Sequence, residues 1–184
     1  MRLIHLLYID LHLPKGLILD AFAKCIRPQV ILLDNSFESL LRTTEIKKYI
    51  ESGSIVPSHL IEQLIEQNID PTSTQDILIL GYPRLVHRLE SFEHFARAKE
   101  LSISRCWYFK HADFDLFIKN KKKAWIAKHG DSTTDHWVTV NKTIEEVELL
   151  KSRKKHLWIE VELTSENYNL PAYVEQEILK NIGS

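Results

Sequence analysis

Five short apolar runs punctuate the chain: Leu3–Ile9, Val30–Leu33, Ile77–Leu80, Cys106–Phe109 and Leu157–Val161. Runs of this length with little polar alternation are the mark of strands covered on both faces. Between them, apolar residues recur at helical spacing. Lys15–Ile26 carries Ile18, Leu19, Phe22, Cys25 and Ile26, and Pro57 and Ser58 open an amphipathic stretch over Leu60–Ile65. After the third run, Leu85, Val86, Leu89, Phe92 and Phe95 mark a helix with its apolar face towards the core. Asp34, Asn35 or Ser36 can cap a helix bearing Leu40 and Leu41, and Phe114–Ile118 reads as helical. Thr143 and Glu146 have capping-box spacing for a helix to Lys155, and a last helix runs from Pro171 to Asn181.

Strands alternating with helices predict an α/β protein, a three-layer α/β/α arrangement with a five-stranded parallel sheet. Ligands in such folds sit at the carboxyl ends of the strands. The places to look for chemistry are therefore Asp10–Gly16, Asp34–Glu38, Gly81–Arg84 and the polar stretch His129–Trp137.

Twenty-four basic against 25 acidic residues give a net charge of -1, which argues against a general polyanion binder. Nucleic acid is not an expected partner. The two cysteines, Cys25 and Cys106, both have apolar neighbours and read as buried thiols. The apolar N-terminus is broken by His5 and Asp10, too short for a signal core or a membrane span. A reducing, cytoplasmic compartment without membrane attachment is the expectation. Glycine is scarce: five residues, at 16, 53, 81, 130 and 183, where ordinary usage predicts about thirteen. Any mechanism that depends on a glycine-rich loop is suspect from the start.

The middle of the chain carries a resemblance. Ile50-Glu51-Ser52-Gly53-Ser54-Ile55-Val56-Pro57-Ser58, followed by a strand ending in Gly81-Tyr82-Pro83-Arg84, resembles the adenylate kinase family in order and spacing. In that family a Gly-x-Leu-Val-Pro segment opens the helix beside the AMP site. An Asp-Gly-Phe-Pro-Arg turn supplies the arginine that holds the AMP phosphate. The resemblance implies a P-loop NTPase-like fold with a short lid. It places Arg84 on phosphate, with Gly81, Tyr82 and Val56 around the ligand. A Gly-x-Pro turn makes an abrupt strand exit, and an arginine after it offers a planar fork to phosphate oxygens. Arg88 stands where the family has a glutamine that reads adenine, which opens base choice or adds a second phosphate donor. Ser36-Phe37-Glu38-Ser39-Leu40-Leu41-Arg42 is a remnant of a Thr-Gly-Asp-x-x-Arg motif, making Glu38 and Arg42 candidate contacts. The expected organisation is one domain over 1–184, with a monophosphate-binding insertion at 35–68 and a lid at 129–142.

The donor end departs from the family. Members begin with Gly-x-Pro-Gly-x-Gly-Lys-Gly-Thr, whose backbone N–H groups wrap phosphates while the lysine neutralises charge and the hydroxyl holds magnesium. Here the stretch is Asp10-Leu11-His12-Leu13-Pro14-Lys15-Gly16-Leu17. Lys15 and Gly16 align with the Lys-Gly pair, three glycines are absent, and Leu17 replaces the hydroxyl. In the lid, Ser132 and Thr143 take arginine positions when Asp135 is aligned with the second aspartate of an Arg-x-Asp-Asp segment. Lys119, Lys121, Lys122 and Lys123 offer charge there without a bidentate fork, and Lys121 is the candidate nucleotide contact. The aspartate before the Gly-Phe-Pro-Arg turn is Leu80. ATP and magnesium are implied cofactors only if kinase activity is retained, with Lys15 and Arg84 as its candidate catalytic groups.

His129, Asp131, Asp135 and His136 lie within eight residues but lack the paired cysteines of a zinc lid, so a polar loop is expected and no metal site is assigned. Trp107, Trp125, Trp137 and Trp158 read as core or lid-base residues, with Trp137 placed to stack on a ligand. Three functional classes follow, in this order. The first is an adenylate kinase-like binder of a nucleotide or other phosphorylated ligand without efficient phosphoryl transfer. The second is an active nucleoside monophosphate kinase of altered design, and the third a non-catalytic protein-interaction module. A monomer is expected, with a protein partner left open.

Overall fold

The computed structural model describes residues 2–10, 13–33, 46–51, 56–113, 119, 123, 145–164 and 166–182. Among the described residues there are five strands: β1 (Leu3–Ile9), β2 (Gln29–Leu32), β3 (Ile77–Leu80), β4 (Ser102–His111) and β5 (Trp158–Leu163). They form one parallel sheet in the order β2-β3-β1-β4-β5. The described helices are α1 (Lys15–Cys25), α2 (Ile46–Glu51), α3 (Ser58–Asn68), α4 (Val86–Ala98), α5 (residues 145–153) and α6 (Pro171–Ile182). The α/β class and the five parallel strands stand as expected. The expected helices around Leu40 and Leu41 and over Phe114–Ile118, and the lid at 129–142, lie outside the described residues.

Two compact units make up the chain, Met1–Leu7 with Ile26–Cys106 and Tyr8–Cys25 with Trp107–Ser184. In the first, β3 is buried along its whole length and pairs on both sides, with Leu6 opposite Ile79 and Val30 opposite Leu78. That two-sided burial explains its unbroken Ile-Leu-Ile-Leu sequence. α3 and α4 pack together and bury Ile61, Leu64, Ile65, Leu89, Phe92 and Ala96. The Arg2 guanidinium ties the start of β1 to its neighbours, donating to the Gln75 carbonyl at 2.7 Å, the Asp70 carbonyl at 2.8 Å and Gln29 Oε1 at 2.9 Å. In the second unit Phe22 of α1 meets Trp107 edge-on, ring centres 5.2 Å apart, and α1 packs against α6.

Several expectations are corrected. Val30 is 39% exposed rather than buried, because β2 is an edge strand. β4 extends well before Cys106: its first half, Ser102–Arg105, is only half-buried and lacks an apolar run, yet Ser102 N–H donates to the Arg2 carbonyl at 3.3 Å. Cys106 is buried, but Cys25 is half-buried, its thiol 3.7 Å from the Glu175 carbonyl. In α4 the third fully buried position is Ala96; Phe95 is half-buried and stacks on Phe92 at 5.6 Å. α2 was not anticipated, and the α5 helix stops at 153, before a single 3-10 turn over Lys155–Leu157.

Candidate functional site

β3 hands over to α4 through Gly81-Tyr82-Pro83-Arg84. Gly81 N–H donates to the Leu7 carbonyl at 3.1 Å, which carries the ladder one residue past the strand. Gly81 then turns with φ +85°, and a Cβ there would lie 3.3 Å from the Leu33 carbonyl oxygen. Both facts call for glycine, since side chains rarely adopt that backbone and this one would also crowd β2's exit. The Tyr82–Pro83 peptide is cis. Arg84 follows, exposed, with Nε donating back to the Gly81 carbonyl at 3.1 Å. That bond orients the guanidinium at the carboxyl end of β3. Among the described residues its two terminal amino groups have no other acceptor.

Behind the turn is a polar cluster that packs α3 to α4. Tyr82 is 3% exposed, and its hydroxyl donates to Glu62 Oε1 at 3.4 Å. Burial, reinforced by the Glu62 carboxylate, pushes the phenol well above its ordinary range. Ser91 Oγ donates to the same Glu62 oxygen at 2.7 Å. The Arg88 guanidinium donates through one terminal amino group to the Val56 carbonyl, just before α3 begins. Its Nε is buried and has no hydrogen-bond partner among the described residues. The structure thus brings Val56, Gly81, Tyr82, Arg84 and Arg88 into one region. No sequence motif marks Glu62 or Ser91, although Ser91 lies one helical turn after Arg88. Glu38, Arg42 and Lys121 lie outside the described residues, as do the cluster His129–His136, Trp125 and Trp137.

Lys15 and Gly16 belong to the second unit, at the start of α1. The described part of the connection from β1 is bonded to its own chain. Leu13 N–H donates to the Asp10 carbonyl at 3.2 Å and Lys15 N–H to the Leu13 carbonyl at 2.8 Å, while Pro14 has no N–H. Leu13 is buried, and Lys15 is half-buried. Gly16 has open space where a side chain would be. Beside it runs a groove between α1 and α6, flanked by Asp20 and by Lys24, which pairs with Glu175 at 2.7 Å.

Asp10 itself is only 7% exposed. Its Oδ1 accepts the Tyr108 hydroxyl at 2.8 Å and its Oδ2 the His111 N–H at 3.2 Å, while its own N–H donates to the Phe109 carbonyl at 2.9 Å. Burial raises the Asp10 carboxyl above the usual range, against the lowering pull of the Tyr108 and His111 bonds and of Lys110. Lys110 is held by Glu160 at 2.7 Å and Glu162 at 3.0 Å. No group of metal-ligating side chains occurs among the described residues. No described helix is long and apolar enough to cross a membrane.

No family model matches the chain. Similarity to individual proteins is consistent in kind. The chain is 33% identical over 78 residues to an adenylate kinase of Mycobacterium sp., covering 42% of this chain and 43% of that protein. It is 26% identical over 100 residues to an adenylate kinase of Salinibacter ruber, covering 52% and 47%. An adenylate kinase of Mycobacterium leprae matches at 30% over 67 residues. Over these stretches the chain is similar to adenylate kinases, at low identity. Its matches span less than half the length of these curated relatives.

Proposed function

We propose that this protein binds a nucleoside monophosphate or a similar phosphorylated ligand at the Gly81–Arg84 turn, and that it has lost efficient ATP-dependent phosphoryl transfer. The observation that carries the binding half is Arg84. It is an exposed guanidinium at the carboxyl end of β3, oriented by its own turn, with terminal N–H groups that meet no acceptor among the described residues. A planar fork held in this way suits phosphate oxygens. Tyr82 precedes it in the same turn, Arg88 follows one helical turn on and donates to the Val56 carbonyl, and the adenylate kinases that the chain resembles support a nucleotide as the ligand. On this reading, residues 35–68 and 129–142 are the monophosphate insertion and the lid.

The loss of phosphoryl transfer follows from the residues after β1. A magnesium triphosphate needs several free N–H donors, a hydroxyl and positive charge at the turn after β1. This chain offers instead a buried Asp10 carboxyl, N–H groups of Leu13 and Lys15 already spent on backbone carbonyls, a proline, and Leu17 in place of the hydroxyl. The described residues of this stretch, 10 and 13–17, therefore do not suit that group.

Titration calorimetry with AMP, GMP, CMP, UMP and ATP, on the wild type and Arg84→Ala, tests the binding half. A monophosphate should bind, and Arg84→Ala should weaken it about ten- to a hundredfold, the loss of one or two charge-assisted hydrogen bonds. Absence of any nucleotide binding at high protein concentration refutes it. A coupled assay for nucleoside diphosphate formation tests the other half: steady turnover that Lys15→Ala abolishes would establish an active kinase and overturn the proposal.

A further inference from the structure

Among the described residues five large apolar side chains are exposed, and two of them, Leu179 and Ile182, sit on α6. They follow Glu175 at i+4 and i+7, so the three share one face of the helix. The start of that face, Pro171 and Glu175, lines the groove beside α1, where Gly16, Asp20 and Ala23 recur at the same spacing on the facing helix. The groove has a volume of about 590 Å³. Gly16 leaves its end clear, with nothing within 4 Å of where a Cβ would stand. The surface is thus recessed over the first half of α6, and over the second half it projects, with Leu179 57% exposed. Charge divides in the same way. The groove carries two carboxylates, Asp20 and Glu175, against one ammonium, Lys24. At the projecting end the exposed Lys180 stands beside Leu179, and its neighbour Glu177, 3.6 Å away, is the more covered of the two.

We propose that this face is the interface between two copies of the chain, paired about a two-fold axis with their α6 helices antiparallel. A two-fold contact uses one patch on both partners, so that patch must complement itself. Antiparallel pairing about the middle of α6 does this. It lays Leu179 and Ile182 of each copy over the recess at Pro171 and Glu175 of the other, and it brings Lys180 towards the two carboxylates of that recess. Projection and recess, and charge and countercharge, are carried by the same surface; an unrelated partner gives no reason for both. The pair also closes, since each apolar stripe is covered once by the other and none is left to recruit a third chain. A pair of chains takes the place of the monomer expected from the sequence, and it does not rest on the monophosphate reading above.

Sedimentation equilibrium on the full chain, from about 5 to about 500 µM, spans the micromolar affinity expected of a small interface. The average mass should rise with concentration from that of one chain towards that of two and no further. Leu179→Glu should weaken the association at least about a hundredfold, because each pair loses two buried leucines. Ala23→Tyr, which fills the groove from the α1 side, should weaken it at least about tenfold. Leu170 is 51% exposed but by its spacing from Glu175 lies off this face, so Leu170→Glu should change the association by less than about twofold. Thermal melts verify that each variant folds, and the wild-type mass is decisive without any of them. A single-chain mass throughout, which would leave the face to another occupant, or growth beyond two chains would overturn the proposal. So would a dimer insensitive to Leu179→Glu or Ala23→Tyr, or one that Leu170→Glu disrupts as strongly as Leu179→Glu does.

Discussion

Tyr108→Phe removes one hydroxyl and almost nothing else, and it probes the Asp10 carboxyl where the chain leaves β1. The lost contact is the 2.8 Å bond from the phenol to Asp10 Oδ1, with Tyr108 only 2% exposed, so water cannot replace it without rearrangement. A hydrogen bond to a charged group contributes about 1.5–3 kcal/mol and one to a neutral group about 1 kcal/mol. The pH dependence follows from linkage. Asp10 has a folded-state pKa above its unfolded value because burial penalises the carboxylate. Its contribution is therefore fully present below the unfolded pKa and is lost as pH rises through the folded one. The Tyr108 bond opposes that rise by stabilising the carboxylate, so removing it lifts the folded pKa further. The variant goes on losing stability over a pH interval where the wild type has already levelled. Urea unfolding at a series of pH values should show a deficit near 1 kcal/mol in acid that grows to about 2 kcal/mol at neutral pH. In a chain of this size that corresponds to roughly 4–8 °C in Tm. A deficit that stays constant with pH, or shrinks as pH rises, would refute the assignment of a buried, hydrogen-bonded carboxyl to Asp10.

Two further outcomes test the other unit. Gly81→Ala places a Cβ on a φ +85° backbone, 3.3 Å from the Leu33 carbonyl oxygen, and should cost about 1–3 kcal/mol in urea unfolding; a neutral result would remove the argument for glycine there. Phe92→Ala empties a fully buried site that meets Tyr82 edge-on at 5.5 Å, so a loss of about 3–5 kcal/mol is expected, measured by the same titration, and a loss below 1 kcal/mol would contradict the core as described.

The fold was legible because its signals are local. Ile77–Leu80 needs no context to read as a strand covered on both faces, and Leu89 and Phe92 show their helix face within one turn. The parts misread depend on neighbours. Val30 looks like a core strand residue until β2 is known to be an edge, and Ser102–Arg105 looks like loop until Arg2 is seen to pair with it. Cys25 has apolar neighbours in sequence, but its exposure depends on how α6 lies along α1.

The same division runs through the candidate site. Residue order alone picked out the Gly81–Arg84 turn, because a backbone that must turn sharply and an arginine that follows are written in consecutive positions. It also showed that the glycines ordinarily needed after β1 are missing. What became of Asp10 and Arg88 was decided by tertiary structure. Asp10 is anchored by Tyr108 and His111 from β4, and Arg88 by the Val56 carbonyl ahead of α3. A hydrogen bond between residues far apart in sequence leaves no periodic trace, since the chain records which residues are apolar and how often. Only the packed sheet and helices decide which polar group each buried donor meets.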